Sequence, residues 1–467
     1  MKLKAFKDKI SKGLGSPILF LKNNPEQAYK YSKVILWACC HDTRYDSQCE
    51  SGRSAYLYAA ICLSNRKSQL ENDVLDRLLR TKGYRDVEQL FNIAQVMYDN
   101  GNNNAKEVMY DRFKDYLNRV QKIKVVNFNN SRHILECATA GAINIVAVDK
   151  FNGLEFILDI MGKIMISKKI KDLFDIDWVL SYAKNEFGEE NLKSFLQDKS
   201  QANPNIKAVV EMYHSNEQER HEYQQNKKTV VPDFETIFAI VEKYCEEEKL
   251  RWGRRNILRR IGKKAGKNEL IKVAEVLETT TDETKQIALL HVFNEVEYPL
   301  SIDFLLRLAY DSCNKLLVTA AADVLKNTKD VRIHDLAIHL IKDREFSICA
   351  LGLLVKNFQH DYELILDLLK IENERLKTEK SEFDFHGLTM GVRRIFEHNK
   401  SSESLDILYF LYQNTTCSSC RMKIVQIMCD NNILPHTIAE ECLYDCDEAT
   451  RDMALKYLAG KAVCEEQ

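Results

Sequence analysis

Proline and glycine are scarce in this chain, at 6 and 16 residues in 467. A fold of many short strands needs turn-formers between them, so the scarcity argues against one and favours long helices with brief connections. No run of about 18 apolar residues occurs, so no transmembrane helix is expected. The apolar stretch Pro17 to Leu21 is too short for a secretory leader, and no small-residue cleavage site follows it. A net charge of -2 removes any general electrostatic case for nucleic acid or membrane and leaves only local patches to consider. Catalytic signatures are missing as well. The run Gly262 to Asn268 is one residue short of a phosphate-binding loop and ends in Asn where Ser or Thr should meet magnesium. His221-Glu222 lacks the second His of the zinc-protease motif, and there is no Gly-x-Ser-x-Gly elbow or dinucleotide fingerprint. Catalysis therefore has no support in the sequence, and no cofactor is expected.

What is present suits a large helical protein. Hydrophobic residues make up 45% and charged residues 29%, enough to bury a sizeable core, and the length suggests two or three domains. The 14 cysteines are scattered through apolar helical stretches, as expected of reduced, buried thiols in a cytoplasmic protein. Cys39, Cys40, His41 and Cys49 have loose ligand spacing. Cys417-x2-Cys420 with Cys442, Cys446 and His436 is better spaced, since Cys442 and Cys446 would share a helix face. Both sets coincide with apolar helical positions, so no metal is expected.

From about Glu248 onward the sequence repeats weakly. The segments Arg254 to Ala265, Thr284 to Glu295, Asn314 to Leu325, Glu345 to Lys356, Ser419 to Asp430 and Thr450 to Lys461 each begin polar. Each continues with small or apolar residues at helical spacing. Aligned centrally they fall at Ile257, Ala288, Ala320, Ala350, Ile424 and Ala454, at intervals of 31, 32, 30, 74 and 30. The long interval fits two units, with Leu388 to Asn399 as the missing anchor after a charged stretch, Ile371 to His386, that lengthens a helix end or loop. Second apolar helices, Leu270 to Glu278, Ile302 to Tyr310 and Tyr362 to Lys370, lie between anchors. One unit is thus a helical hairpin that completes its core only by stacking on its neighbours. The run Asp447 to Leu458, DEATRDMALKYL, follows the acidic, Arg, Ala-Leu, Leu rhythm that HEAT repeats show in their second helix. The region from about Glu248 to Gly460, some seven units, resembles the HEAT-repeat family, an armadillo-like helical repeat. The resemblance implies an all-α fold, an α-solenoid of stacked helical hairpins.

The N-terminal half is helical without a clean period. Amphipathic spacing covers Pro25 to Cys40, Arg53 to Leu63, Gln69 to Arg80, Asp86 to Tyr98, Ala105 to Val120, Gly153 to Lys168 and Ile176 to Phe187. Lys2, Lys4, Lys7, Lys9 and Lys12 interleave with Leu3, Phe6, Ile10 and Leu14. This pattern fits a helix covering the apolar edge of the first repeat, with membrane-surface docking as the alternative. The stretch Gln197 to Lys228 is polar and Pro232 follows it, so a boundary or long solvated hinge is expected near Asn226. The expected organisation is a helical region over 1–225, whether divergent repeats or a separate domain, followed by the HEAT-like solenoid over 226–467.

Two places hold enough polar chemistry to matter. Between apolar helices, the connector carries His41, Asp42, Arg44, Asp46, Glu50 and Arg53. That density of both signs could form a ligand site, with helix capping and salt bridging as the plainer reading; exposure is expected, as for most connectors. Second, Lys249 to Lys267 has nine Lys or Arg and no acid. Arg251, Arg255 and Arg259 recur every fourth residue beside Trp252, with Lys263 one turn on, while Ile257, Leu258 and Ile261 face the core. This helix could grip phosphates, or its charges could pair with Glu246, Glu247 and Glu248 just upstream. Extended helical stacks offer large surfaces and few converging polar groups, so the favoured function is a non-catalytic scaffold or adaptor binding a protein partner on its concave face. The alternative is a nucleic-acid-binding protein similar in architecture to the HEAT-like alkylpurine DNA glycosylases, using the basic helix.

Overall fold

The computed structural model describes residues 1–122, 132–168, 175–225, 231–379 and 382–465, and every regular element among them is helical. Two compact units divide the chain. The first comprises Met1–Lys227, Thr416–Ser419 and Pro435–Gln467; the second comprises Lys228–Thr415 and Cys420–Leu434. Asn226, where the hinge was expected, lies outside the described residues.

The first unit opens with α1 (Leu3–Lys12), α2 (Ser16–Asn23), a 3-10 turn over Pro25–Tyr31 and α3 (Ser32–Cys39). There follow α4 (Ser54–Leu63), α5 (Lys67–Arg80), α6 (Tyr84–Asp99), α7 (Asn103–Lys122), α8 (Arg132–Lys168), α9 (Ile176–Phe187), α10 (Glu189–Ala202) and α11 (Pro204–Gln225). Phe6, Ile10 and Leu14 are fully buried, and α1 packs on α2 and α3. Lys2, Lys4 and Lys7 are exposed, but the Lys12 side chain is only 12% exposed, and Leu3, the remaining apolar residue of the pattern, is 52% exposed. Gly13 ends α1 at φ 75, donating back to the Ile10 carbonyl, a turn that a left-handed residue closes at least strain. Several helices here escaped the periodicity, namely α2, the first half of α8, α10 and α11. The first half of α8 is apolar on most sides, so it shows no stripe; its two halves meet at a kink at Lys150. The polar stretch from Gln197 is largely helical: α10 continues to Ala202, and α11 runs to Gln225. Ile206, Val209 and Val210 are spaced to bury one edge of α11 against α8 and α10.

The second unit holds α12 (Phe234–Glu246), α13 (Arg251–Gly262), α14 (Lys267–Thr279), α15 (Glu283–Val292), α16 (Asp303–Asp311) and α17 (Lys315–Leu325). It continues with α18 (Val331–Leu340), α19 (Ser347–Asn357), α20 (Tyr362–Glu379), α21 (Glu382–His398), α22 (Leu405–Asn414) and α23 (Ser418–Asp430), whose first two residues belong to the first unit. Then α24 (His436–Cys442) and α25 (Glu448–Glu465) return to the first unit, where α24 packs on α2 and α25.

The hairpins α12–α13, α14–α15, α16–α17, α18–α19 and α20–α21 form a stack in which α13, α15, α17, α19 and α21 pack successively on one another. The protein is all-α, and this stack is an α-solenoid. The repeat anchors explain the close layer: Ala288, Ala320 and Ala350 are at most 2% exposed, small enough to let neighbouring helices approach. Asp233, Asp282, Asn314 and Asp330 cap α12, α15, α17 and α18 through their side chains. The charged stretch after Ile371 lengthens α20 and α21, with 380–381 outside the described residues.

Ile257 corrects the sequence reading. It is exposed, while Leu258 is fully buried, so α13 turns its core face one residue later than the repeat alignment placed it.

Asparagines staple the turns of the stack. The Asn327 amide donates to the carbonyls of Phe293 (3.1 Å) and Val296 (3.2 Å) in the preceding hairpin. Asn357 does the same to Thr328 (3.1 Å) and Asn399 to Val355 (3.0 Å). Each ends its anchor helix and satisfies a carbonyl that has no helical partner.

Candidate functional site

The connector between α3 and α4 is folded inward. Arg44, Glu50 and Arg53 are buried, correcting the expectation of exposure. The reason is pairing. Asp42 receives Arg44 through Nε at 3.0 Å and a terminal nitrogen at 2.8 Å, and it receives Arg85 of α6 at 3.2 Å. Burial alone would raise the Asp42 pKa, but the hydrogen bonds and charge of Arg44, with Arg85 beyond, hold it below the usual carboxylate range. The Asp42 amide donates to Asp86 at 2.8 Å, so the start of the connector is tied to α6. Asp46 acts as a turn residue, its carboxylate accepting from the Gln48 amide at 2.8 Å. His41 stays exposed and stacks on Trp37 with ring centroids 5.0 Å apart.

A second group forms around Glu50. Its carboxylate takes Arg53 at 3.1 Å, the Ser418 amide at 2.8 Å and the Asp46 amide at 2.9 Å. Arg53 also donates to the Ser11 carbonyl, to the Thr43 hydroxyl at 3.0 Å and to the Thr416 carbonyl at 3.4 Å. Burial pushes Glu50 up, and the Arg53 charge with the Ser418 hydrogen bond more than reverses it, leaving its pKa lowered. The candidate residues therefore form two matched clusters rather than one convergent centre. Within the first unit they tie residues 11, 43, 50, 53, 416 and 418 together. Two cavities, of about 490 and 640 Å³, are lined by other residues.

The basic helix α13 is likewise largely answered within its own unit. Arg254 meets Glu247 at 2.7 Å and Arg251 lies 4.0 Å from Glu248, as the upstream acids suggested. Arg255, however, pairs with Asp323 of α17 at 3.2 Å, and Arg259 and Lys263 both pair with Glu295. Trp252 is 80% exposed beside them. His291 is buried with its ring 5.7 Å from that of Tyr244, within the field of both Arg255 and Asp323. Burial, helped by the Arg255 charge, pushes its pKa down to about 4. Arg255→Glu is expected to cost less than about 1 kcal/mol, because the Arg255–Asp323 pair is half exposed. It should leave retention on heparin at physiological salt unchanged. A steep loss of heparin or duplex-DNA binding in that variant would show that the stripe grips phosphate instead.

The thiols divide by environment. Cys39, Cys137, Cys417, Cys420, Cys442 and Cys446 are buried, whereas Cys49, Cys62 and Cys313 are exposed, and no disulfide occurs among the described residues. Cys420 Sγ lies 3.9 Å from His386 Nδ1. Cys442, Cys446 and His436 join no group of three metal-ligating atoms among the described residues.

One surface was missed. Leu316 and Ile348 occupy the second position of α17 and α19, helices that pack side by side, and they are 69% and 46% exposed. Both follow the polar start of their repeat segments, Leu316 four residues before Ala320 and Ile348 two before Ala350.

No family model matches the chain, and no curated protein matches it. Three solved structures are similar, all of Kap121p. They are described as Kap121p bound to Ste12p, Kap121p bound to Nup53p, and the karyopherin Kap121p bound to the SUMO protease Ulp1p. Identities are 11, 12 and 12%, with TM-scores of 0.33, 0.34 and 0.34. Each match covers 97% of this chain and 53, 53 and 52% of the other, so the chain spans about half the length of those proteins. Among the described residues, no helix is long and apolar enough to cross a membrane.

Proposed function

We propose that the chain is a non-catalytic scaffold or adaptor that binds a protein partner on the anchor-helix layer of its second unit, the side a solenoid makes concave. The observation that supports this most is the exposure of Leu316 and Ile348 near the starts of two adjacent anchor helices. Large aliphatic side chains held in water gain free energy when a partner covers them, roughly 25 cal/mol per Å² of apolar area. The connector residues fit a structural clamp in this reading, and the cations of α13 fit local ion pairs. A reducing compartment such as the cytoplasm suits the free thiols. The test is capture of partners from the native cell with the wild-type chain and with the Leu316→Asp, Ile348→Asp double variant. The helices should remain, since both side chains already face solvent. Proteins held by the wild type should be lost by the variant, and an unchanged set would count against this surface.

A further inference from the structure

We propose that the face of α13 turned away from the core of its unit binds an extended acidic segment of a protein partner. That segment carries a large apolar residue and, a few residues on, a run of carboxylates. The proposal rests on the protein-binding reading and adds to it a second surface with its own chemistry.

Nine Lys or Arg lie between Lys249 and Lys267, and four carboxylates pair with them. Glu247 takes Arg254, Glu248 takes Arg251, Asp323 takes Arg255, and Glu295 is shared by Arg259 and Lys263. Lys249, Arg260, Lys264 and Lys267 are exposed, and among the described residues none of them meets a carboxylate. The Arg260 guanidinium donates to the Asn256 carbonyl of its own helix at 3.2 Å and keeps its other donors for a ligand. Even with the exposed Glu246 counted, cations outnumber carboxylates here. The fold leaves this segment with positive charge that it does not cancel.

The placement of that charge selects the partner. Leu258 is fully buried and Gly262 abuts the backbone of α15. Gly253, Asn256, Ile257 and Arg260 fall opposite these two at helical spacing, with Trp252 at the edge of the same face. Trp252 is 80% exposed and Ile257 39%. No atom of the chain lies within 4 Å of the point where a Cβ on Gly253 would stand, so a partner's backbone can lie against the helix beside the indole. A Trp covers about 150–250 Å² when buried, and such side chains dominate binding where a partner encloses them. The face is thus two-ended, apolar at Trp252 and Ile257 and cationic at Arg260 and Lys264. Trp252 and Arg260 lie about 12 Å apart along the helix axis. An extended peptide crosses that span in about four residues. Glu246, Glu247 and Glu248 stand just before the apolar end. A nucleic acid carries its charge at uniform spacing and would set phosphates against those glutamates, whereas a peptide can keep its carboxylates at the cationic end.

The experiment titrates the full chain into labelled Leu-Ser-Gly-Ser-Glu-Asp-Glu, its counterpart Leu-Ser-Gly-Ser-Gln-Asn-Gln, and a short oligothymidylate, read by fluorescence anisotropy at physiological salt. The acidic peptide should bind at least about tenfold more tightly than its amide counterpart. It should bind about tenfold more weakly to the Arg260→Gln, Lys264→Gln double variant and to Trp252→Ala. Arg255→Gln removes a cation that is already paired and should stay within about twofold of wild type. Gln is a good helix former, so the helical content of these variants should match the wild type. Absence of acidic-peptide binding, equal binding of the amide counterpart, or tighter binding of the oligothymidylate would each overturn the proposal. So would an affinity unchanged in both weakened variants. The titration uses no native partner and neither Leu316 nor Ile348, so its failure is distinct from a failure of the capture experiment.

Discussion

Arg53→Ala should lower the stability of the first unit by roughly 3–5 kcal/mol, the cost of removing one partner from a buried ion pair. The side chain of Arg53 is 1% exposed and that of Glu50 fully enclosed, so the variant strands a carboxylate with no route to water. Loss should concentrate at one place. The Ser418 amide, which donates to Glu50, should exchange with deuterium much faster, while amides of α15 and α17 in the second unit keep their protection. The pH dependence has a definite sign. Glu50 has a lowered folded pKa, so its contribution is present above the ordinary glutamate value and is lost as pH falls through the depressed one. Unchanged exchange at Ser418 in the variant would mean that the connector does not clamp that segment.

The second large effect belongs to His291. Its folded pKa of about 4, against an ordinary 6.5, means that the unfolded chain binds the extra proton first as pH falls. The contribution is complete above pH 6.5 and is lost progressively down to pH 4, roughly 3 kcal/mol in all. About 2 kcal/mol of that should appear between pH 7.5 and pH 5. Denaturant unfolding of the second unit, followed at those two pH values in wild type and His291→Gln, checks it. The variant should show a flat dependence across the window. A wild-type profile as flat as the variant's would mean that His291 keeps contact with water in the folded chain.

The stacked hairpins were legible because the repeat is written in local terms. A small anchor residue every 30 to 32 positions is what close helix packing demands, and Ala288, Ala320 and Ala350 supply it. Where that demand is weaker, the alignment slips, as at Ile257 on α13. The stapling asparagines lie at or just beyond the ends of three anchor segments, but their meaning depends on a carbonyl some thirty to forty residues away. The same limit applies to the charges. The upstream glutamates of α13 are visible as neighbours, whereas Asp323 is paired with Arg255 across 68 residues, a distance only the fold removes. The connector looked like a loop because its polar residues are dense; that they are buried follows from partners on α6 and on residues 416–418, which spacing alone does not reveal. α11 looked like solvent-exposed chain because only a narrow edge of it is apolar.

The most direct test places a photo-cross-linking residue at Leu316 in the full chain and irradiates it in the native cell. The account predicts a discrete protein adduct at Leu316, and loss of that adduct when Ile348 is changed to Asp in the same chain. Absence of any protein adduct at Leu316, with nucleic acid cross-linked instead from a second chain labelled at Trp252, would contradict it.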